Sequence, residues 1–280
     1  MIKSNYILRY LYTLAKKFEM KTKITLATLI LFSMSLSLFA NKPNWGATGH
    51  RTVGEIADNL LSRKAKKAIN KLLDCHSLAF YSNFADEIKS DKTFDNYYTW
   101  HYVNFEFDTN YDPAKADKKG DLIQGLQTCI KILKDPLSTN EDKFFYLKML
   151  IHFMGDLHQP LHVGRGEDKG GNDIKVKWFR ESSNLHRVWD SDMIDSYKMS
   201  YYEMADNADK LSKAQVQSIQ KGDLLDWVYE SQALAKTVYA SAKNDDNLSY
   251  RYSYDYLATV RQQLQKGGIR LAKVLNDIFG

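Results

Sequence analysis

The stretch that decides the reading of this chain is His152-Phe-Met-Gly-Asp156-Leu-His-Gln-Pro-Leu-His162, echoed downstream by His186-Arg-Val-Trp-Asp190. Each segment sets a His and an Asp four residues apart, which on an α-helix puts the pair on one face, one turn apart. Neutral imidazole and carboxylate are ligands that zinc takes at about 2.0–2.2 Å, so two such pairs can hold metal from two helices. A single His-x-x-x-Asp pair often arises by chance. Two pairs, with a third His just past a Pro, point to a metal centre.

Outward from that block the pattern is helical. Residues 48–73 carry apolar side chains at Val53, Ile56, Ala57, Leu60, Leu61, Ala68, Ile69 and Leu72, a helical period with a break near Ser62. Ser82 reads as the N-cap of a short helix bearing Asp86 and Lys89. The period resumes over 121–133, and Thr139-Asn-Glu-Asp142 resembles a capping box before a helix to about Leu157, stopped by Pro160. Residues 223–243 and 253–278 read as long closing helices, the second interrupted at Gly267-Gly268. Two places break the rhythm. A glycine-rich loop over 164–171 leads into an alternating strand-like run over 174–179, and Trp100-His-Tyr-Val-Asn-Phe105 reads as extended. The expectation is an all-α single domain of mainly long helices, with a short β-hairpin or strand near 172–180.

The N-terminus reads as a targeting segment. Lys21 and Lys23 precede an uncharged apolar run over 24–40, and Asn41-Lys-Pro-Asn44 restores polarity, the layout of a secretory signal peptide. Met20 makes a more typical start than Met1. Residues 1–40 are therefore assigned to a signal peptide, with an uncleaved membrane anchor as the alternative, and 41–280 to the mature domain, expected to be secreted or periplasmic, without stable membrane association after signal removal, and monomeric. The whole chain carries +5, but residues 1–40 hold six of its 39 Lys/Arg and one of its 34 Asp/Glu. The mature part is thus formally neutral. That removes a basic footprint for nucleic acid, and attraction to polyanions has to come from local charge, bound metal included. The two cysteines, Cys75 and Cys129, leave a disulfide and two free thiols both open, and exclude a Cys-based zinc site.

Of the seven His, His158 lies six residues from His152, about 240° round a helix and off any metal-facing side; His158 and His76 are read as non-ligands. The motifs then resemble a family. Trp45-Gly-Ala-Thr-Gly-His50, Phe84-Ala-Asp86-Glu-Ile-Lys89, Trp100-His101-Tyr-Val-Asn, the His152–His162 block, Gly170-Gly-Asn172-Asp-Ile and Asn184-Leu-His186-Arg-Val-Trp-Asp190 are similar to those of the zinc-dependent single-strand-specific nucleases. This is the S1/P1 nuclease family, whose helical fold is shared with bacterial zinc phospholipase C. The motifs run in the family's order.

The resemblance implies three zinc ions in a cleft. Asp86, His101, His152 and Asp156 would hold one, and His162, His186 and Asp190 a second. The third would sit on His50 and the backbone amine and carbonyl of Trp45, with Asp156 bridging it to the first. It further implies hydrolysis of single-stranded DNA and RNA at P–O3′, leaving 5′-phosphates, with 3′-nucleotidase activity alongside. Lys89 and Asn172 match phosphate-side residues and, with Asp86, form the expected catalytic group. Tyr102 offers a ring for base stacking, which is worth about 1–3 kcal/mol for any base. Asn104 stands where fungal members are expected to carry an acidic residue contacting the base, a departure that bears on base preference. Cleavage after Ala40 leaves four residues ahead of Trp45, so either further trimming frees its amine or the site uses only its carbonyl. Two alternatives remain at this stage: a zinc phospholipase C, disfavoured by Asp86-x-x-Lys89 and Gly-Gly-Asn172, and a non-catalytic metal-binding protein, disfavoured by nine intact ligand positions.

Overall fold

The computed structural model describes residues 46–280; the signal-peptide segment, the boundary at residue 41 and Trp45 lie outside the described residues. In chain order the helices are α1 (Ala47–Asn59), α2 (Arg63–Leu72), α3 (Leu78–Tyr81), α4 (Phe84–Glu87), α5 (Leu122–Lys134), α6 (Asn140–Asp156), α7 (Leu185–Arg187), α8 (Met193–Tyr197), α9 (Tyr201–Asp206), α10 (Lys213–Ile219), α11 (Leu224–Ser241) and α12 (Tyr250–Phe279). Short 3-10 segments at Lys92–His101 and Pro160–Val163 and a π-turn at Val188–Asp192 join them. Strands β1 (Lys175–Trp178), β2 (Glu181–Asn184) and β3 (Asn247–Leu248) form a small sheet in the order β2-β1-β3, antiparallel in the hairpin and parallel to β3. The all-α expectation with a hairpin near 172–180 thus holds.

Capping explains most boundaries. Ser62 accepts the Ala65 N–H and separates α1 from α2, Asp121 accepts from Ile123 and Gln124, Thr139 from Asp142, and Asp223 from Leu225 and Asp226. Helix α6 is the centre of the core. Every residue from Leu147 to Asp156 on it is buried, so its apolar and ligand-bearing faces are both covered by neighbours. No described helix is long and apolar enough to cross a membrane.

Four local expectations need correction. Helix α12 runs unbroken through Gly267-Gly268, because these glycines let it close on α1: a Cβ at Gly268 would lie 2.5 Å from Ile56 Cγ2 and 3.1 Å from the Val53 carbonyl. Ser82 does not cap α4; it ends α3, its buried hydroxyl donates to the Ala79 carbonyl, and Asn83 precedes α4. Trp100 and His101 close a 3-10 segment, and extended backbone begins only at Tyr102. Asp190 sits in a π-turn rather than on a regular α-helix with His186. Cys75 is exposed, Cys129 buried, and both are free thiols.

Candidate metal centre

The last turn of α6 supplies His152 and Asp156, and six other elements converge on it. His50 comes from α1, Asp86 from α4, His101 from the end of a 3-10 segment, His162 from the turn after Pro160, and His186 and Asp190 from α7 and the π-turn. All eight ligand candidates within the described residues fall into three groups, the first two sharing His152: His50, His152 and Asp156; Asp86, His101 and His152; and His162, His186 and Asp190. Asp156 is the hub. One of its oxygens lies 2.9 Å from His101 Nδ1 and 3.2 Å from His152 Nε2, and the other 3.4 Å from His50 Nε2 and 3.3 Å from His162 Nδ1. Asp86 Oδ1 stands 3.6 Å from His152 Nε2 and 3.7 Å from His101 Nδ1, while His162 Nε2 is 3.4 Å from Asp190 Oδ1. The wider π-turn leaves His186 Nε2 3.9 Å from Asp190, further apart than the equivalent pair on α6.

Backbone carbonyls fix the rings. His152 Nδ1 donates to the Ser82 carbonyl at 2.7 Å, His162 Nδ1 to that of His101 at 2.6 Å and His186 Nδ1 to that of Gly170 at 2.8 Å. A carbonyl can only accept, so these nitrogens carry the proton and Nε2 keeps its lone pair for the centre. Gln159, wholly buried, donates to Asp190 Oδ1 at 3.2 Å and accepts the Leu161 N–H at 2.6 Å. The Gly46 N–H donates to the Asp190 carbonyl at 2.7 Å, bringing the chain next to Trp45 against this site. Gly155 gives the His50 ring its place, since a Cβ there would sit 2.6 Å from Nδ1.

The donor set fits metal. Asp156 Oδ1, His162 Nε2 and Asp190 Oδ2 are buried with no hydrogen-bond partner among the described residues. Lone pairs of carboxylate and imidazole aimed at one another are unfavourable unless a cation lies between them. In the metal-free chain a proton takes that part: burial pushes the His162 imidazolium down, but Asp156 and Asp190 outweigh it and lift its pKa to about 9. Burial, opposed by Asp156, pulls His101 down to about 4. Desolvation works against ionised Asp86 and Asp156, yet His152 and the other charges beside each hold both carboxyls well below the usual range. Nitrogen and oxygen donors without thiolate suit zinc and its neighbours in the first transition row.

The floor is closed and the rim is open: Asp86, Lys89 and His186 keep part of their side-chain surface in solvent. Lys89 Nζ donates to Asp86 Oδ1 at 2.7 Å and lies 5.8 Å from the ring of Tyr98, an exposed residue that the sequence reading passed over. Tyr102 is half-buried and Asn104 exposed, two residues apart on extended backbone and so on one side of it. Asn172 turns back on its own loop, donating to the Lys169 carbonyl at 2.9 Å; it is placed beside the centre through Gly171, whose carbonyl accepts the His186 N–H. His158 lies apart, its Nδ1 donating to the Met154 carbonyl and its Nε2 accepting from Arg270, while His76 stacks on Phe80. The roles of Gln159, Ser82 and Gly155 were missed because a supporting amide, a backbone carbonyl and the space left by a glycine carry no ligand spacing.

Comparison with known proteins bears on what such a centre does. A family model described as S1/P1 Nuclease matches residues 45–280. The chain is 32% identical to Endonuclease 4 of Arabidopsis thaliana over 278 residues, covering 84% of this chain and 89% of that relative. It is 28% identical to Nuclease P1 of Penicillium citrinum over 268 residues, 84% of this chain and 98% of the relative. Against Nuclease S1 of Aspergillus oryzae it is 28% identical over 286 residues, covering 91% and 96%.

Proposed function

This chain belongs to the S1/P1 nuclease family and is a hydrolytic nuclease, and from that premise we propose that it is an exported, monomeric, zinc-dependent endonuclease for single-stranded DNA and RNA, with 3′-nucleotidase activity alongside. The single observation that carries the metal dependence is the convergence of eight His and Asp side chains on one largely buried centre with orphaned donor atoms.

Asp86, His101, His152 and Asp156 would hold one ion, His162, His186 and Asp190 a second, and His50, with Trp45 and a bridging Asp156, the third. Zinc bound there supplies Lewis acidity toward phosphate and brings the pKa of water near neutrality. The chain's own groups do the rest. Lys89, at the rim, offers an ammonium to a non-bridging phosphate oxygen, where negative charge builds during the reaction. Tyr102 and the exposed Tyr98 offer ring faces for unpaired bases, which a duplex keeps inside its stack. Gln159 and the carbonyls of Ser82, His101 and Gly170 hold the ligands in register. Water adds to phosphorus, the P–O3′ bond breaks and O3′ takes a proton, giving a 3′-hydroxyl and a 5′-phosphate. Asn172, next to the Gly171 that meets His186, would turn its amide from the Lys169 carbonyl to a phosphate oxygen.

The test is release of acid-soluble nucleotides from single-stranded and duplex DNA, beside release of phosphocholine from phosphatidylcholine, with and without chelator. Chelator-sensitive digestion of the single strand is expected. Phosphocholine release without nucleotide release would reverse the substrate assignment, and activity indifferent to chelator would remove the metal dependence.

A further inference from the structure

One helical turn before His152, α6 carries Lys148, a cation with only 6% of its surface exposed. Its ammonium lies 3.5 Å from the centroid of the Phe84 ring, 4.0 Å from that of Phe144 and 5.4 Å from that of Tyr81. Among the described residues its ammonium has ring contacts but no hydrogen bond or ion pair, and the charge of Glu87, which reaches it, only partly offsets the burial. Ring faces return only part of the hydration that a buried ammonium gives up, and burial pulls this group down to about 8. A desolvated cation held on rings and lacking an acceptor is poised for an anion.

The space beside it is sized for more than an ion. Lys148 borders a cavity of about 500 Å³ whose walls also include Arg51, Phe80, Tyr81, Glu87 and Tyr201. That volume lies within the range of small-molecule sites. Phe80 is 57% exposed and is held by the His76 ring stacked on it at 4.4 Å. An apolar ligand would leave the buried Lys148 ammonium without an acceptor, and a bare anion would make no use of the rings. An anion joined to a flat π-system uses both.

We propose that this cavity is a second nucleotide pocket, distinct from the metal centre, taking a nucleotide's phosphate on Lys148 and Arg51 and its base against Phe80 and Tyr201. Glu87 is placed to accept a hydrogen bond from a base N–H. The identity of the ligand as a nucleotide rests on the nuclease reading; the anion site itself does not. Sequence neighbours serve the two sites: Arg51, Glu87 and Lys148 line the pocket, while His50, Asp86 and His152 lie in the metal centre. A single strand a few nucleotides long can therefore engage both, which gives longer substrates an advantage over a dinucleotide.

Calorimetric titration of the intact protein with AMP, inorganic phosphate and adenosine tests this, using Arg51→Ala and Lys148→Gln. Arg51 is exposed, so its variant keeps the test alive if the buried substitution prevents folding. Each substitution should weaken one AMP binding event about tenfold, the loss expected for one charge-assisted hydrogen bond. Phosphate and adenosine should bind there more weakly than AMP. Dinucleotide hydrolysis should stay at the parental rate while KM for a single-stranded octanucleotide rises. An AMP titration unchanged in both variants overturns the proposal, and so does phosphate binding as tight as AMP. A parent that fails to hydrolyse the dinucleotide would defeat the nuclease reading alone, because the AMP titration still decides the pocket.

Discussion

Replacing Gly155 by alanine adds one methyl group to α6 and aims it at a ring of the metal centre. The new Cβ would stand 2.6 Å from His50 Nδ1 and 3.0 Å from Cε1, where ordinary contact begins near 3.4 Å, so the imidazole must retreat by about 0.8 Å. It is stacked on His152 with ring centroids 3.8 Å apart, and a shift of that size disturbs a second ligand. Overpacking of this kind costs about 1–3 kcal/mol, against a helix-propensity gain of at most about 1 kcal/mol for Gly→Ala. The net expectation is a modest loss of stability. Were the position beside Gly155 empty, the same substitution would stabilise, so the sign of the change is itself diagnostic. Function should suffer more than stability, since a displacement of about 1 Å at a reacting centre can cost about a hundredfold in rate. The assay is the urea midpoint, metal per chain and hydrolysis rate measured on one preparation. A raised midpoint with full metal content and parental activity would refute the placement of His50.

Three further outcomes follow from named contacts. Gln159→Leu removes the amide that fixes Asp190 and strands the Leu161 N–H; resistance to chelator should fall about 10–100-fold, and unchanged metal retention would contradict the role. Lys89→Met should lower kcat on single-stranded DNA about a hundredfold, the cost of one missing donor to developing charge, with metal content unaltered; an equal rate in the variant would remove Lys89 from the phosphate. Burial opposes ionised Glu230, but hydrogen bonds from Arg270 and Lys266 outweigh it and hold its carboxyl below 4.5. Its contribution is thus present above that pH and lost as pH falls through the lowered folded value. Urea midpoints at neutral and acid pH should therefore converge for the parent and Glu230→Gln as the solution becomes acidic, and a constant gap would show that the ion pair is not responsible.

How much of this was legible in sequence depended on the kind of signal. His152 and Asp156 could be paired because regular helix geometry converts spacing into direction, and the same rule excluded His158, which the fold gives to Arg270. It was less exact for His186 and Asp190, where a π-turn changes the geometry without changing the spacing. The cap at Thr139 announced the start of α6 because the side chain itself makes the hydrogen bond. Gly267-Gly268 misled, since glycine marks both a helix break and a close approach, and only the position of Ile56 distinguishes them. Ser82 was read as a cap from its side chain, whereas its carbonyl is what orients His152. The ring cage around Lys148 was invisible for a similar reason: Tyr81, Phe84 and Phe144 are assembled by packing between helices, and no local pattern announces it.

Total metal per chain on the purified mature protein, by elemental analysis, tests the central claim most directly. Three donor groups side by side, two of them sharing His152, predict close to three zinc ions per chain. One ion or none, in protein that digests single-stranded DNA, would contradict the account.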